Sequence, residues 1–293
     1  MLALALALAL VGPGSVPAAV ASAETLTVRI EGAGAPVVLI PGLFGSAYGF
    51  RRVVPLLTDA GYQTILIEPL GMGESSRPQD ADYSLSAQAA RIAAILDTLH
   101  LQHLIIVGHS AGAAIALRLA VQRPNLVKAI VSLEGGPAEA AASPGFRRVT
   151  SVTPLIRLAG GKFFRGQIHR GLVAASGDTA WVNDEVVAHY TAGATADLGA
   201  TLGAYQRMGE AREPELLASR LGELRCRVLL LLGEAPHTGG PPEAEQALMR
   251  RWITGFSSEL VPGAGHYLQE ERPDLVAAAV RVVAVATSVA VVP

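Results

Sequence analysis

The sequence predicts an α/β protein, a doubly wound and mostly parallel sheet interrupted by one helical insertion. Five short runs, residues 36–40, 64–67, 104–107, 129–133 and 228–232, are nearly continuous in Val, Ile and Leu. That is the pattern of strands covered on both faces. Stretches 50–60, 84–99 and 111–122 alternate with the first four runs and read as helices, which makes strand, helix, strand the repeating order. The alternation stops between 137 and 213, where no buried-strand run occurs.

In chain order, residues 2–11 form an unbroken apolar run, and Ala21-Ser22-Ala23 stands before Glu24. An apolar segment followed by a small-residue triplet is the pattern of a secretory leader, so 1–23 is expected to be a signal peptide and the protein secreted or periplasmic. No basic residues precede the leucines, which leaves a retained membrane anchor as the alternative. Residues 26–31 alternate apolar and polar and suit an outer antiparallel strand. In 84–99, Ile92, Ile95, Leu96 and Leu99 recur on one helical face. The segment 137–213 carries Phe163, Phe164, Trp181, Tyr190 and Tyr205 in helical surroundings and must leave the sheet and return to it. It reads as a helical cap over the carboxyl edge of the sheet, where open α/β sheets bind ligands. The core is therefore expected in two parts, 24–136 and 214–293. The apolar end, 282–293, is too short to span a bilayer.

Composition narrows the function classes. The chain of 293 residues is 51% hydrophobic and 16% charged, with a formal net charge of -2 and no basic run longer than a pair. Nothing there attracts nucleic acid. Cys226 is the sole cysteine, so there is no internal disulfide framework.

Gly108-His109-Ser110-Ala111-Gly112 directly follows the buried run 104–107 and directly precedes an alanine-rich helix. G-x-S-x-G at a strand-to-helix turn is a nucleophile elbow, in which the turn exposes the serine and the helix amides face its oxygen. Pro41-Gly42-Leu43-Phe44-Gly45-Ser46 closes an earlier strand. Its Leu43 amide, paired with that of Ala111, would make an oxyanion hole. Gly263-Ala264-Gly265-His266 follows the short run 258–261 and offers His266 as the base that takes the serine proton. Phe44, Phe163, Trp181, Tyr205 and Met208 are the candidates to line an apolar substrate pocket.

With these motifs the chain resembles the capped α/β hydrolases over essentially its whole length after the leader. The segment running from Glu68 to Pro78, EPLGMGESSRP, is similar to that family's turn after its fourth strand, with Glu68 where Asp is usual. The resemblance implies hydrolysis of an ester, lactone or related acyl bond through an acyl-enzyme, on an apolar small molecule, with no cofactor and no metal. A membrane partner enters only if the N-terminal segment is retained. Dehalogenases and epoxide hydrolases of the family attack with an aspartate, which Ser110 argues against. Its carbon–carbon bond hydrolases tend to carry Asn before the serine, where this chain has His109.

The family's usual triad acid is an Asp three residues after the glycine that closes the strand before the last. Here the segment reads Gly233-Glu234-Ala235-Pro236-His237, with Pro236 in that place. Glu134 is the preferred acid, because it ends the run 129–133 and lies 24 residues after Ser110. That resembles the haloalkane dehalogenase-like branch, whose acid follows the sixth strand. Glu234, or no acid at all, are the alternatives. Two other functions stay open: a slow or inert ligand-binding or receptor protein on this scaffold, and a lyase or cofactor-free oxygenase.

Overall fold

The computed structural model describes residues 15–19, 24–140 and 153–288. Eight strands form one sheet in the order β1-β2-β4-β3-β5-β6-β7-β8. They are β1 (Ser15–Ala19), β2 (Thr25–Glu31), β3 (Ala35–Ile40), β4 (Tyr62–Ile67), β5 (Leu104–His109), β6 (Val127–Leu133), β7 (Arg227–Gly233) and β8 (Phe256–Val261). β2 runs antiparallel to β1 and β4, and all other pairs are parallel. The nine α-helices of the described residues are α1 (Val54–Asp59), α2 (Leu85–Thr98), α3 (Ala111–Gln122), α4 (Thr153–Ala175), α5 (Asp184–Ala196), α6 (Leu198–Glu210), α7 (Glu243–Trp252), α8 (Leu268–Glu271) and α9 (Pro273–Ser288).

Pleating sorts each strand's side chains between two cores. Val38, Ile106, Ile130 and Val228 stand side by side across four neighbouring strands and enter the layer under α2 and α3. Their neighbours Leu39, Val107, Val131 and Leu229 enter the opposite layer, with Leu57 of α1 and Val276 and Val280 of α9. A strand covered on both sides must be apolar at every position, which is why these runs do not alternate. Each such side chain contributes roughly 1.5–3 kcal/mol on burial.

The predicted strands and the helices α2 and α3 occur where the sequence places them, as does the antiparallel β2. The expected helix at 50–60 is shorter than anticipated: a 3₁₀ turn at Ala47–Phe50, then α1, with Pro55 in its first turn. β1 falls inside the segment expected to be a leader, and its backbone pairs with β2. The rest of that segment, 1–14 and 20–23, lies outside the described residues, as does 289–293. Between β6 and β7 the chain forms α4, α5 and α6, the helical insertion expected at 137–213. No helix of the described residues is long and apolar enough to cross a membrane.

Two carboxylates fix where the insertion meets the core. Glu213, at its return, accepts from the Leu85 and Ser86 amides and from Arg118 Nε at 3.0 Å. Arg118 projects from the middle of α3, and its side chain, like that of Glu213, is almost wholly buried. Glu271 holds the other end. Its Oε2 accepts from the amides of Gly177, Asp178 and Gly265 at 2.8–2.9 Å, and its Oε1 from that of Tyr267 at 3.2 Å.

Candidate active site

Ser110 lies between β5 and α3 with φ 52° and ψ -117°. A non-glycine residue held there costs about 1–3 kcal/mol, which neighbouring contacts must offset. Its amide donates to the Leu133 carbonyl at 2.8 Å, and its carbonyl accepts from the Ala113 amide at 3.0 Å. The β3 loop presses on it so closely that a Cβ on Gly42 would stand 2.9 Å from the Ser110 Cβ. Among the described residues five non-glycines have positive φ. Three of them, Phe44 (63°), Ser110 (52°) and Glu134 (53°), follow β3, β5 and β6 at the same edge of the sheet. Strain is concentrated where these loops meet.

His266, only 9% exposed, is carried by the loop between β8 and α8. Its amide donates to the carbonyl of Ala175 at the end of α4 (2.7 Å), and its carbonyl accepts from His109 Nε2 at 3.0 Å. His266 Nδ1 lies 3.7 Å from Oε2 of Glu134, within ion-pair range but too long for a hydrogen bond. No described atom hydrogen-bonds that buried nitrogen. Glu134 is 2% exposed, and its Oε1 accepts from the Gly233 amide of β7. The structure thus brings Ser110, His266 and Glu134 to one edge. Glu234 follows β7 at that same edge, but its side chain is exposed and has no hydrogen-bond or ion-pair partner among the described residues.

His237 is the residue that sequence reasoning missed. Its Nδ1 stands 2.7 Å from the Ala235 carbonyl and its Nε2 3.1 Å from Oε2 of Glu134. Both neighbours are acceptors, so the doubly protonated ring satisfies both. Burial lowers its pKa, but the Ala235 carbonyl and the Glu134 carboxylate outweigh burial and hold it above the usual histidine value. The only sequence signal was position: His237 follows directly after Pro236, where the acid is usual.

His109 and Glu68 also prove more informative than their motifs suggested. The His109 ring is fully buried, 4.7 Å from that of His266, and its pKa lies well below the usual value, through burial first and the nearby His266 second. Glu68 Oε1 accepts from the Ala47 amide and its Oε2 from the Glu74 amide, both at 2.6 Å, which ties the β3 loop to the turn after β4. Burial raises its pKa despite those two amides.

Leu43 lies on the loop after β3 and Ala111 opens α3 directly after Ser110, and their amides have no hydrogen-bond partner among the described residues. Phe44 and Tyr205 pack edge to face at 4.8 Å and line a cavity of about 320 Å³ between the β3 loop and the insertion. Trp181 packs against Tyr267, the neighbour of His266, at 5.3 Å. Met208 is buried against the Gly71 turn. Phe163 departs from the expected pocket lining. It is 44% exposed, because α4 turns the next residue, Phe164, inward against Ala194 and Leu202.

Comparison with known proteins bears on this geometry. Residues 35–150 match the family model described as alpha/beta hydrolase fold. The structure of the epoxide hydrolase CorEH superposes with a TM-score of 0.77 over 92% of this chain and 97% of that one, at 19% identity. The chain has the α/β-hydrolase fold. The sn-1-specific diacylglycerol lipase ABHD11 of Xenopus laevis is 32% identical over 114 residues, 39% of this chain and 36% of that protein. Haloalkane dehalogenase 2 of Mycobacterium tuberculosis is 28% identical over 263 residues, 85% of this chain and 88% of its own. The chain spans about half the length, or less, of the curated relatives it matches at more than 30% identity. Within the α/β-hydrolase fold, the matched segment contains both the Ser110 turn and Glu134.

Proposed function

We propose that the chain is a serine hydrolase that cleaves a carboxylic ester, lactone or related acyl bond of an apolar small molecule through an acyl-enzyme. The observation that carries this reading is the strained Ser110 turn between β5 and α3, with His266 and the buried Glu134 gathered at the same edge. In this mechanism Ser110 Oγ attacks the acyl carbon while His266 takes its proton. The amides of Leu43 and Ala111 hold the oxyanion. His266 returns the proton to the leaving alcohol, then draws one from the water that releases the acid. Glu134 orients the ring and stabilises the imidazolium. The name of the lipase relative agrees with an acyl substrate. Those of the dehalogenase and epoxide hydrolase relatives do not, and Ser110 separates this chain from an aspartate nucleophile.

Ser110→Ala is expected to leave a folded protein that no longer turns over p-nitrophenyl esters and no longer takes up a fluorophosphonate label. Native-rate turnover by that variant would refute the reading. One distance favours a second possibility, a slow or inert ligand-binding scaffold: Glu134 stands nearer to His237 than to His266. A wild-type protein that the fluorophosphonate leaves unmodified would select it.

A further inference from the structure

The acid end of this site holds more ligand chemistry than acyl transfer uses. Glu134 Oε2, His237 Nε2 and His266 Nδ1 all lie within 4.8 Å of one another. His237 Nε2 and Glu134 Oε2 are 3.1 Å apart, and Glu134 Oε2 and His266 Nδ1 3.7 Å. Three donors on a tetrahedral zinc ion with bonds of about 2.0–2.1 Å stand about 3.3 Å from one another. The two distances bracket that value, and modest side-chain rotations bring the third donor in.

Three further features fit a cation. His237 Nδ1 faces the Ala235 carbonyl at 2.7 Å, the outer contact that fixes a metal-binding imidazole with its other nitrogen toward the ion. His266 Nδ1 is buried and has no hydrogen-bond partner among the described residues. Gly239 and Gly240, at φ 110° and 79°, keep the space beside the donors clear. A Cβ on Gly239 would stand 2.7 Å from His266 Nδ1, and one on Gly240 would collide with Glu134 Oε2.

We propose that Glu134, His237 and His266 form a binding site for a first-row divalent cation, zinc foremost, and that its occupancy turns the hydrolase off. The ligand set, two histidines and one carboxylate, suits zinc and leaves a fourth position for water. The inhibitory consequence follows from proton bookkeeping and rests on the function proposed above. In the active form the His266 proton sits on Nδ1, facing Glu134, and Nε2 offers a lone pair to Ser110. A cation on Nδ1 displaces that proton and binds the lone pair it leaves, so the neutral ring carries its proton on Nε2 instead, while any proton on His237 Nε2 passes to solvent. His266 then has a donor where a base is needed, and Glu134 is occupied by the ion.

Two titrations of the full-length protein test the site separately from the activity. Cobalt(II) is expected to give a visible ligand-field band that saturates at one ion per chain and is displaced by zinc. His237→Gln and His237→Asn should both lose it. Zinc should abolish ester turnover reversibly, with EDTA restoring it, and either His237 variant should raise the inhibiting concentration at least about tenfold. No cobalt band in the wild type overturns the proposal, as does a variant inhibited at the wild-type concentration. Should the wild type turn over no ester at all, the hydrolase reading fails while the cobalt band still decides the site.

Discussion

Glu134 divides its two oxygens between different tasks. Oε1 is fixed by the Gly233 amide of the neighbouring strand, and Oε2 is shared between two histidines. Anchoring of this kind holds the carboxylate in one rotamer, so replacing its charge changes electrostatics more than shape. Glu134→Gln is expected to keep the fold and lower kcat by roughly three to four orders of magnitude, while Glu234→Gln stays near wild type. Steady-state turnover of one aryl ester by both variants checks this, and a reversed outcome would move the acid to Glu234. His109 gives a pH prediction at the same scale. Its folded pKa is depressed, so below about pH 6.5 the unfolded chain binds a proton that the folded chain refuses. Its contribution to stability is therefore intact above that pH and declines as pH falls toward the folded value, by up to about 1.4 kcal/mol per unit. His109→Asn should flatten this part of the stability curve, measured by urea unfolding between pH 7 and 5. An unchanged slope would show that His109 does not titrate as described.

At the scale of elements, legibility in the sequence followed burial on both sides. α3 occurs over the residues expected, because a helix pressed between sheet and α2 must be apolar and small nearly all round. A Cβ on Gly112 would collide with the Ile40 carbonyl. The strands β3 to β7 were legible for the same reason. The helices of the insertion were readable only as a class, since α4 is broken by a non-helical Gly160 and its apolar residues do not keep to one face. The site divides similarly. Ser110 and His266 are announced by local glycine patterns, whereas Glu134 meets His237 only because β6 and β7 are neighbours in the sheet. That adjacency is a tertiary fact with no local sequence mark. Arg118 is another residue whose reason is not local, a cation in the middle of a buried helix. Arg118→Met leaves the Glu213 carboxylate buried without its counter-charge and is expected to cost about 3–5 kcal/mol. Adding Glu213→Gln should recover part of that loss in chemical denaturation. A single variant within 1 kcal/mol of wild type, on the same order-of-magnitude scale, would mean that the pair is solvated in solution.

For the molecule as a whole, the insertion and the core are tied through the residues that carry the site. His266 is held from one side by the Ala175 carbonyl of α4 and from the other by His109 of β5. Glu270, buried in α8, accepts from Tyr190 of α5 and pairs with Arg51 from the β3 side. Burial raises the Glu270 pKa even though Arg51 and Tyr190 pull it down. The insertion therefore cannot lift away as a rigid flap without loosening the histidine loop.

The Glu271 carboxylate gives that coupling a signature in time. Its Oε2 gathers three amide protons from two segments far apart in the chain, Gly177 and Asp178 on one side and Gly265 on the other, and its Oε1 takes that of Tyr267. None of these amides can be released to solvent singly without the oxygen keeping the others. In native-state hydrogen–deuterium exchange the four should open as one unit with a common free energy, below that of the central-strand amide of Ile106. Glu271→Ala should collapse protection at all four and leave Ile106 unchanged, whereas four unrelated exchange rates in the wild type would contradict a shared latch. Breathing of the insertion and wandering of the base are then a single fluctuation, and its frequency caps how fast a bulky product can leave.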